Sequence, residues 1–331
     1  MNKFIEVICG SHLYGLNSEG SDVDRKIVYI PSKEDCFLNK IGKVKQSTSK
    51  EEDVEILTIQ EFIKQACGGQ TNVLDMIHAD RDNVLYCSDR GLWSIIQANR
   101  EKLYTKRMGA LAGYCKGQAQ KYSFKVEKYN AILELLEILS YVNLEYPLSD
   151  FISQIPQNKY VSISDQGDLE VCGRALQKNA PVGYVIECLE KIKDSFGSRV
   201  VKCSEIGDKD WKSISHAFRL AYQLIMIYEQ GDYYFPLPET KFLKDLKYGK
   251  YDYEKDKIGE KLQNLIDKTE KLAQDSKYPK EVDREFWDNI ILEFYKTERL
   301  AITKVERKLD VSNNARSMKP EAHPIASGVG G

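Results

Sequence analysis

The segment from Phe4 to Asp24 constrains this chain more than any other. Residues 4–9 form a short apolar run that stops at Gly10-Ser11, as a buried strand stops at a turn. Ten residues separate Ser11 from Asp22, and Asp22-Val23-Asp24 then opens a second strand-like run, 23–30, closed by Pro31. Side chains i and i+2 of a strand share a face, about 6.8 Å apart along the chain, so two such carboxylates can converge on hard cations held roughly 3.5–4 Å apart. Mg²⁺ takes oxygen ligands, commonly one or two carboxylates plus substrate phosphates. The Gly-Ser turn offers backbone N–H groups and a hydroxyl to a polyphosphate, with no side chain at Gly10 in the way. An isolated Asp-x-Asp is an ordinary turn or strand-end feature. It is the placement after strand and Gly-Ser that points to catalysis.

The rest of the chain divides by period. Residues 54–59 alternate and are rich in β-formers, and 59–66 carry Ile59, Phe62, Ile63 and Ala66 at helical spacing before Gly68-Gly69 stops them. Strands alternating with helices predict a mixed sheet covered by helices. From about residue 105 the pattern turns helical: 111–138, 182–196, 211–230, 257–274 and 286–308, with a hairpin signal at 160–172 around Asp165-Gln166-Gly167-Asp168. The expected fold class is therefore α+β. A catalytic domain over 1–104 is followed by a mostly helical substrate-binding domain with a small hairpin insertion over 105–311. Residues 312–331 read as a disordered tail, and their closing Gly-Gly as a frayed end.

Composition removes several classes. At 331 residues the chain is long enough for about two domains and a sizeable core without disulfide or metal staples. With 48 basic and 50 acidic residues, net charge cannot drive wholesale nucleic-acid binding. None of the 8 Cys stands at C-x-x-C spacing, which excludes a zinc ribbon. No apolar stretch is long enough for a membrane span or a signal peptide, so a soluble, reduced, cytoplasmic protein is expected.

The string from Gly10 to Asp24, GSHLYGLNSEGSDVD, resembles the Gly-Ser…Asp-x-Asp signature of the DNA polymerase β-like nucleotidyltransferase superfamily, and is similar to its RNA-repair-associated (RlaP-like) branch of predicted nucleotidyltransferases. Further stretches are similar: Asp53-Val54-Glu55-Ile56, Thr71-Asn72-Val73-Leu74-Asp75, Gly113-Tyr114 with Gly117-Gln118, and Ser215-His216-Ala217-Phe218-Arg219-Leu220. Two departures stand out, Arg25 in place of an apolar residue and Gln70-Thr71 in place of Asn-Pro. The resemblance implies a polymerase β-like sheet, transfer of an NMP from an NTP (ATP among them) to a hydroxyl, and two Mg²⁺ or Mn²⁺ ions. It implies an RNA or tRNA-like 3′ end as acceptor; a protein or small-molecule hydroxyl is the alternative, and a catalytically dead RNA-binding module the non-enzymatic one.

Asp22 and Asp24 would then be metal ligands, joined by a third carboxylate from a neighbouring strand. Glu55 is narrowly preferred for it and Asp53 can serve instead. Gly10, Ser11, His12 and Ser21 become candidates for the nucleotide, together with Lys121, His216 and Arg219 from the helical part. Residues 100–130 hold eight Lys/Arg against two Glu. Gln118, Lys121, Lys125 and Lys128 fall on one helical stripe with Tyr114, Tyr122 and Tyr129 interleaved, a pattern that suits a nucleic-acid strand and equally a solvated helix face. His216, Arg219 and Gln223 form a polar line expected opposite the apolar face of 211–230.

Overall fold

The computed structural model describes residues 2–38, 40, 45–48, 52–207 and 209–297, the side chains of 45–48 excepted. The expected tail at 312–331 and the end of the last helix lie outside them. The N-terminal part runs β1 (Asn2–Ile8), a single helical turn α1 (Gly10–Leu13), β2 (Val23–Ile30), α2 (Lys33–Phe37), β3 (Lys45–Thr48), β4 (Glu52–Thr58), α3 (Ile59–Cys67), α4 (Thr71–Ile77), β5 (Val84–Cys87) and α5 (Arg90–Ala98). The five strands make one mixed sheet in the order β3-β4-β2-β1-β5, in which only β2 and β4 pair in parallel.

Alternation along the strands decides which side is covered. Lys26, Val28 and Ile30 of β2 are buried with Val7 and Ile5 of β1, on the face that packs against α3. Thr58 caps α3 by accepting the Glu61 N–H, so β4 passes directly into that helix. Arg25 points to the opposite face, where Glu6 and Glu52 hold its guanidinium. The departure at this position is thus an ion-paired residue.

The helical part follows: α6 (Leu111–Ser140), a three-stranded sheet of β6 (Val161–Ile163), β7 (Leu169–Val171) and β8 (Arg174–Leu176), then α7 (Val182–Asp194), α8 (Ser198–Ser204), α9 (Trp211–Gln230), α10 (Thr240–Lys247), α11 (Ile258–Asp275) and α12 over 284–297. The hairpin read at 160–172 is present and gains β8 as a third strand. Helix α9 is the centre of this part, packed by α6, α10 and α11, and Gly231 ends it at φ 85°. One continuous core joins the sheet to these helices, from Phe4 and Phe62 through Phe218 to Trp287. A second core, around Ile132, Leu169 and Leu189, sits beneath the small sheet. No described helix is long and apolar enough to cross a membrane.

Candidate active site

The carboxylates gather where β1 ends and β2 and β4 begin. Gly10 enters α1 at φ 61°, in the left-handed region that only glycine takes without strain. A Cβ there would collide with the Asp24 carboxylate and stand 2.9 Å from the Asp24 Cβ, so the turn and the acid are in contact. The Cys9 N–H donates to the Asp24 carbonyl at 2.8 Å, which extends the β1–β2 ladder to this point. The amides that open α1 have no earlier turn of helix to accept from them.

Register fixes the neighbours. In the parallel β2–β4 pair, Asp24 lies beside Asp53 and Lys26 beside Glu55. All four therefore share the helix-side face, and Lys26 takes Glu55 as an ion pair. The Asp24 carboxyl is held above the ordinary carboxylate range by its partial burial and then by the negative charges of Asp22 and Asp53; Lys212 and Lys26 pull the other way. Burial also lowers the Lys26 ammonium. Asp53 is thus the acid electrostatically coupled to Asp24, and Glu55 carries the Lys26 ion pair. The register puts Asp53 beside Asp24, and the narrowly preferred Glu55 one pleat further along the same face. Two residues on one strand face were indistinguishable until the register with β2 was known.

Among the described residues no three acids, histidines or cysteines close into a finished cage for a cation. What is present is an open, all-oxygen set in which Asp22 and Asp53 raise the cost of ionising Asp24. Such a set fits a hard cation that completes its shell with water and phosphate oxygens. Asp22 itself is exposed, just before β2.

The loop between α1 and β2 is closed locally and from the helical part. Ser21 Oγ accepts from the Ser18 N–H at 2.9 Å, and His12 Nε2 lies 3.5 Å from the Ser21 carbonyl. Lys247 of α10 donates to the Leu16 carbonyl at 2.9 Å. Ser11 is half-buried on α1. Ser21 and His12 are therefore seen holding the turn's shape.

Helix α9 forms the facing side. Lys212 and His216, one turn apart, are exposed on it, and the Lys212 charge is felt by both Asp24 and His216. Arg219 and Gln223 do not continue that line to solvent. They are buried, because Asp75 of α4 brings a carboxylate to them: Asp75 accepts from Arg219 Nη1 at 2.9 Å, Gln223 Nε2 at 2.8 Å, Tyr14 Oη at 2.7 Å and Tyr233 Oη at 3.0 Å. The Arg219 guanidinium also stacks 3.9 Å from the Tyr14 ring centre. Arg219, expected at a phosphate, is spent on tying α1, α4 and α9 together. The line expected opposite the apolar face is buried here because its partner, Asp75, lies 144 residues from Arg219 in sequence.

Further along α6 the aromatic positions separate. Tyr129 is core, packed on Phe196. Tyr114 is exposed, and Tyr122 carries the Arg199 guanidinium 3.8 Å from its ring centre. Arg199 in turn pairs with Asp210, the N-cap of α9. Lys121 and Lys125 are exposed beside Tyr122, and Lys128 is half-buried over Tyr160. Asp75, Lys26, Lys212 and Arg199 were not singled out by sequence reasoning. Only Asp75 left a signal, inside the Asn72-Val73-Leu74-Asp75 string. A cavity of about 360 Å³ lined by His78, Arg100, Asp232 and Tyr233 touches the Asp75 network from another side, and none of Asp22, Asp24 and Asp53 lines it.

No family model matches the chain, and no solved structure matches it. An uncharacterized 38.9 kDa protein from the nrdC-mobD intergenic region of Enterobacteria phage T4 is 27% identical over 332 residues, which cover 89% of this chain and 97% of the phage protein.

Proposed function

We propose that the protein is a metal-dependent nucleotidyltransferase that moves an NMP from an NTP to a hydroxyl, with an RNA 3′ end as acceptor. The observation that carries this reading is the contact between the Gly10 turn and the Asp24 carboxylate, with Asp22 and Asp53 clustered around it. A carboxylate held protonated more readily by two neighbouring acids, beside a glycine turn with open amides, has a use when a polyphosphate and a cation arrive together, and is a cost otherwise.

Asp22, Asp24 and Asp53 would hold Mg²⁺ or Mn²⁺, with Glu55 as an outer carboxylate behind Lys26. When bound, such ions neutralise the triphosphate and lower the pKa of an attacking hydroxyl. The first amides of α1 and the Ser11 hydroxyl receive phosphate oxygens. Lys212 offsets negative charge from the α9 side. In the reaction the acceptor oxygen forms a bond to the α-phosphorus, the α–β bridge bond breaks, and pyrophosphate leaves. The hydroxyl proton passes to a neighbouring carboxylate or to water. The basic, aromatic side of α6 around Lys121, Tyr122 and Lys125 favours a polynucleotide acceptor.

Incubation with each α-labelled NTP, Mg²⁺ or Mn²⁺, and a mixture of cellular RNA and protein tests the assignment. Label is expected on RNA and is expected to vanish in Asp22→Asn/Asp24→Asn. Label on protein instead would replace the acceptor, and a double variant as active as wild type would remove the proposal.

A further inference from the structure

His216 and Arg219 stand i and i+3 on α9, and Arg219 Nη2 lies 3.1 Å from His216 Nδ1. A guanidinium has donors and no acceptor, so Nδ1 must accept this bond and the ring proton must sit on Nε2. Arg219 cannot turn away to relieve that demand. It is 2% exposed, and its other contacts are Asp75 at 2.9 Å, Gln223 Oε1 at 2.7 Å and the Tyr14 ring. A second ring proton would have to be placed on Nδ1, directly against the guanidinium. Desolvation on the Arg219 side of the ring opposes it first and the Arg219 guanidinium next, with smaller contributions from Arg199 and Lys212; Asp75, shared among four donors, offsets part of this. The imidazole is accordingly held neutral, its pKa lowered to about 3.

We infer that Arg219 is a positioning residue that locks His216 as the neutral Nε2–H tautomer, and that this N–H donates to a phosphate oxygen of the bound nucleotide. The inference rests on the nucleotidyltransferase reading for its ligand. His216 stands one turn from Lys212 on α9, and the Lys212 charge reaches both His216 and Asp24, so the imidazole lies on the side of α9 that faces the acids. A neutral donor set among cations adds direction toward an anionic oxygen, and a hydrogen bond to a charged partner is among the stronger ones. The sequence alone suggested two parallel phosphate ligands. The structure makes one of them the orienter of the other.

The test joins nitrogen NMR of the imidazoles with binding of each Mg²⁺·NTP by calorimetry. The chain has only 4 His, and loss of a signal in His216→Gln identifies the residue. The expected spectrum is the Nε2–H tautomer from pH 5 to 8, with that population reduced in folded Arg219→Lys. His216→Gln places an amide N–H near the Nε2 position and is expected to keep Mg²⁺·NTP affinity within about 3-fold, whereas the shorter His216→Asn is expected to lose roughly 10-fold or more. An Nδ1–H or cationic ring in the wild type would overturn the inference, as would nucleotide affinity unchanged in both variants while the wild type binds. A wild type that binds no Mg²⁺·NTP would overturn the underlying reading along with it.

Discussion

Gly10 and Asp24 define the site at the scale of single residues, and each yields a measurable consequence. Gly10→Ala must accept φ 61°, which costs an L-residue about 1–2 kcal/mol, and must also push the Asp24 carboxylate aside. The expected outcome is a lower Tm and loss of Mg²⁺-induced stabilisation, read by thermal unfolding with and without the ion. Asp24 gives a pH dependence. Its folded-state pKa lies above the ordinary carboxylate value because of burial and the Asp22 and Asp53 charges. The folded protein therefore keeps a proton that the unfolded chain has released, and this residue's contribution to stability falls as pH rises from about 4 through the raised pKa. Without metal, Asp24→Asn should be increasingly more stable than wild type across that window; with saturating Mg²⁺ the advantage should shrink or reverse. Parallel pH curves for the two proteins would remove the electrostatic account. These two residues were legible in the sequence because the chemistry is local: a glycine after a strand and acids two apart. The choice between Asp53 and Glu55 was not, since it depends on which residue of β2 each one faces.

Periodicity carried most of the long elements, but it ranks residues by polarity and not by partner. The strands around Ile5, Val28 and Leu57 and the helices around Phe62, Leu135 and Phe218 announce themselves through apolar spacing. The four-residue strands β3 and β5, the short helices α4 and α10, and β8 are too brief for a period to register. Arg219 and Gln223 read as a surface line on α9 for the same reason: Asp75, which buries them, belongs to α4. That network is what docks α9 against the turn that carries Gly10. Asp75→Asn keeps the shape but removes the charge facing Arg219 and turns an acceptor into a donor opposite Gln223 or Tyr233. Its expected cost is about 3 kcal/mol in chemical denaturation, since one partner of a buried pair is removed. A loss below about 1 kcal/mol would mean that the network is not what couples the two elements.

Across the whole molecule, the sheet that bears Asp24 and Asp53 and the helix that bears Lys212 share one core, so folding itself sets these charges against one another. Overall charge is near neutral, so composition excluded classes but located nothing. The α6 surface extends the cationic side beyond the nucleotide. Lys121→Glu/Lys125→Glu is expected to cut RNA labelling by roughly 10-fold or more at low salt, with NTP affinity changed less than about 2-fold. Equal loss of both would place those lysines at the nucleotide. On this reading the acids at the Gly10 turn bind nucleotide through a cation. The most direct measurement is NTP affinity by calorimetry in Mg²⁺ and in chelator, for wild type and Asp24→Asn. Tight binding is expected only for wild type with Mg²⁺; binding equally strong in chelator, or undiminished in Asp24→Asn, would overturn the metal-dependent nucleotide site.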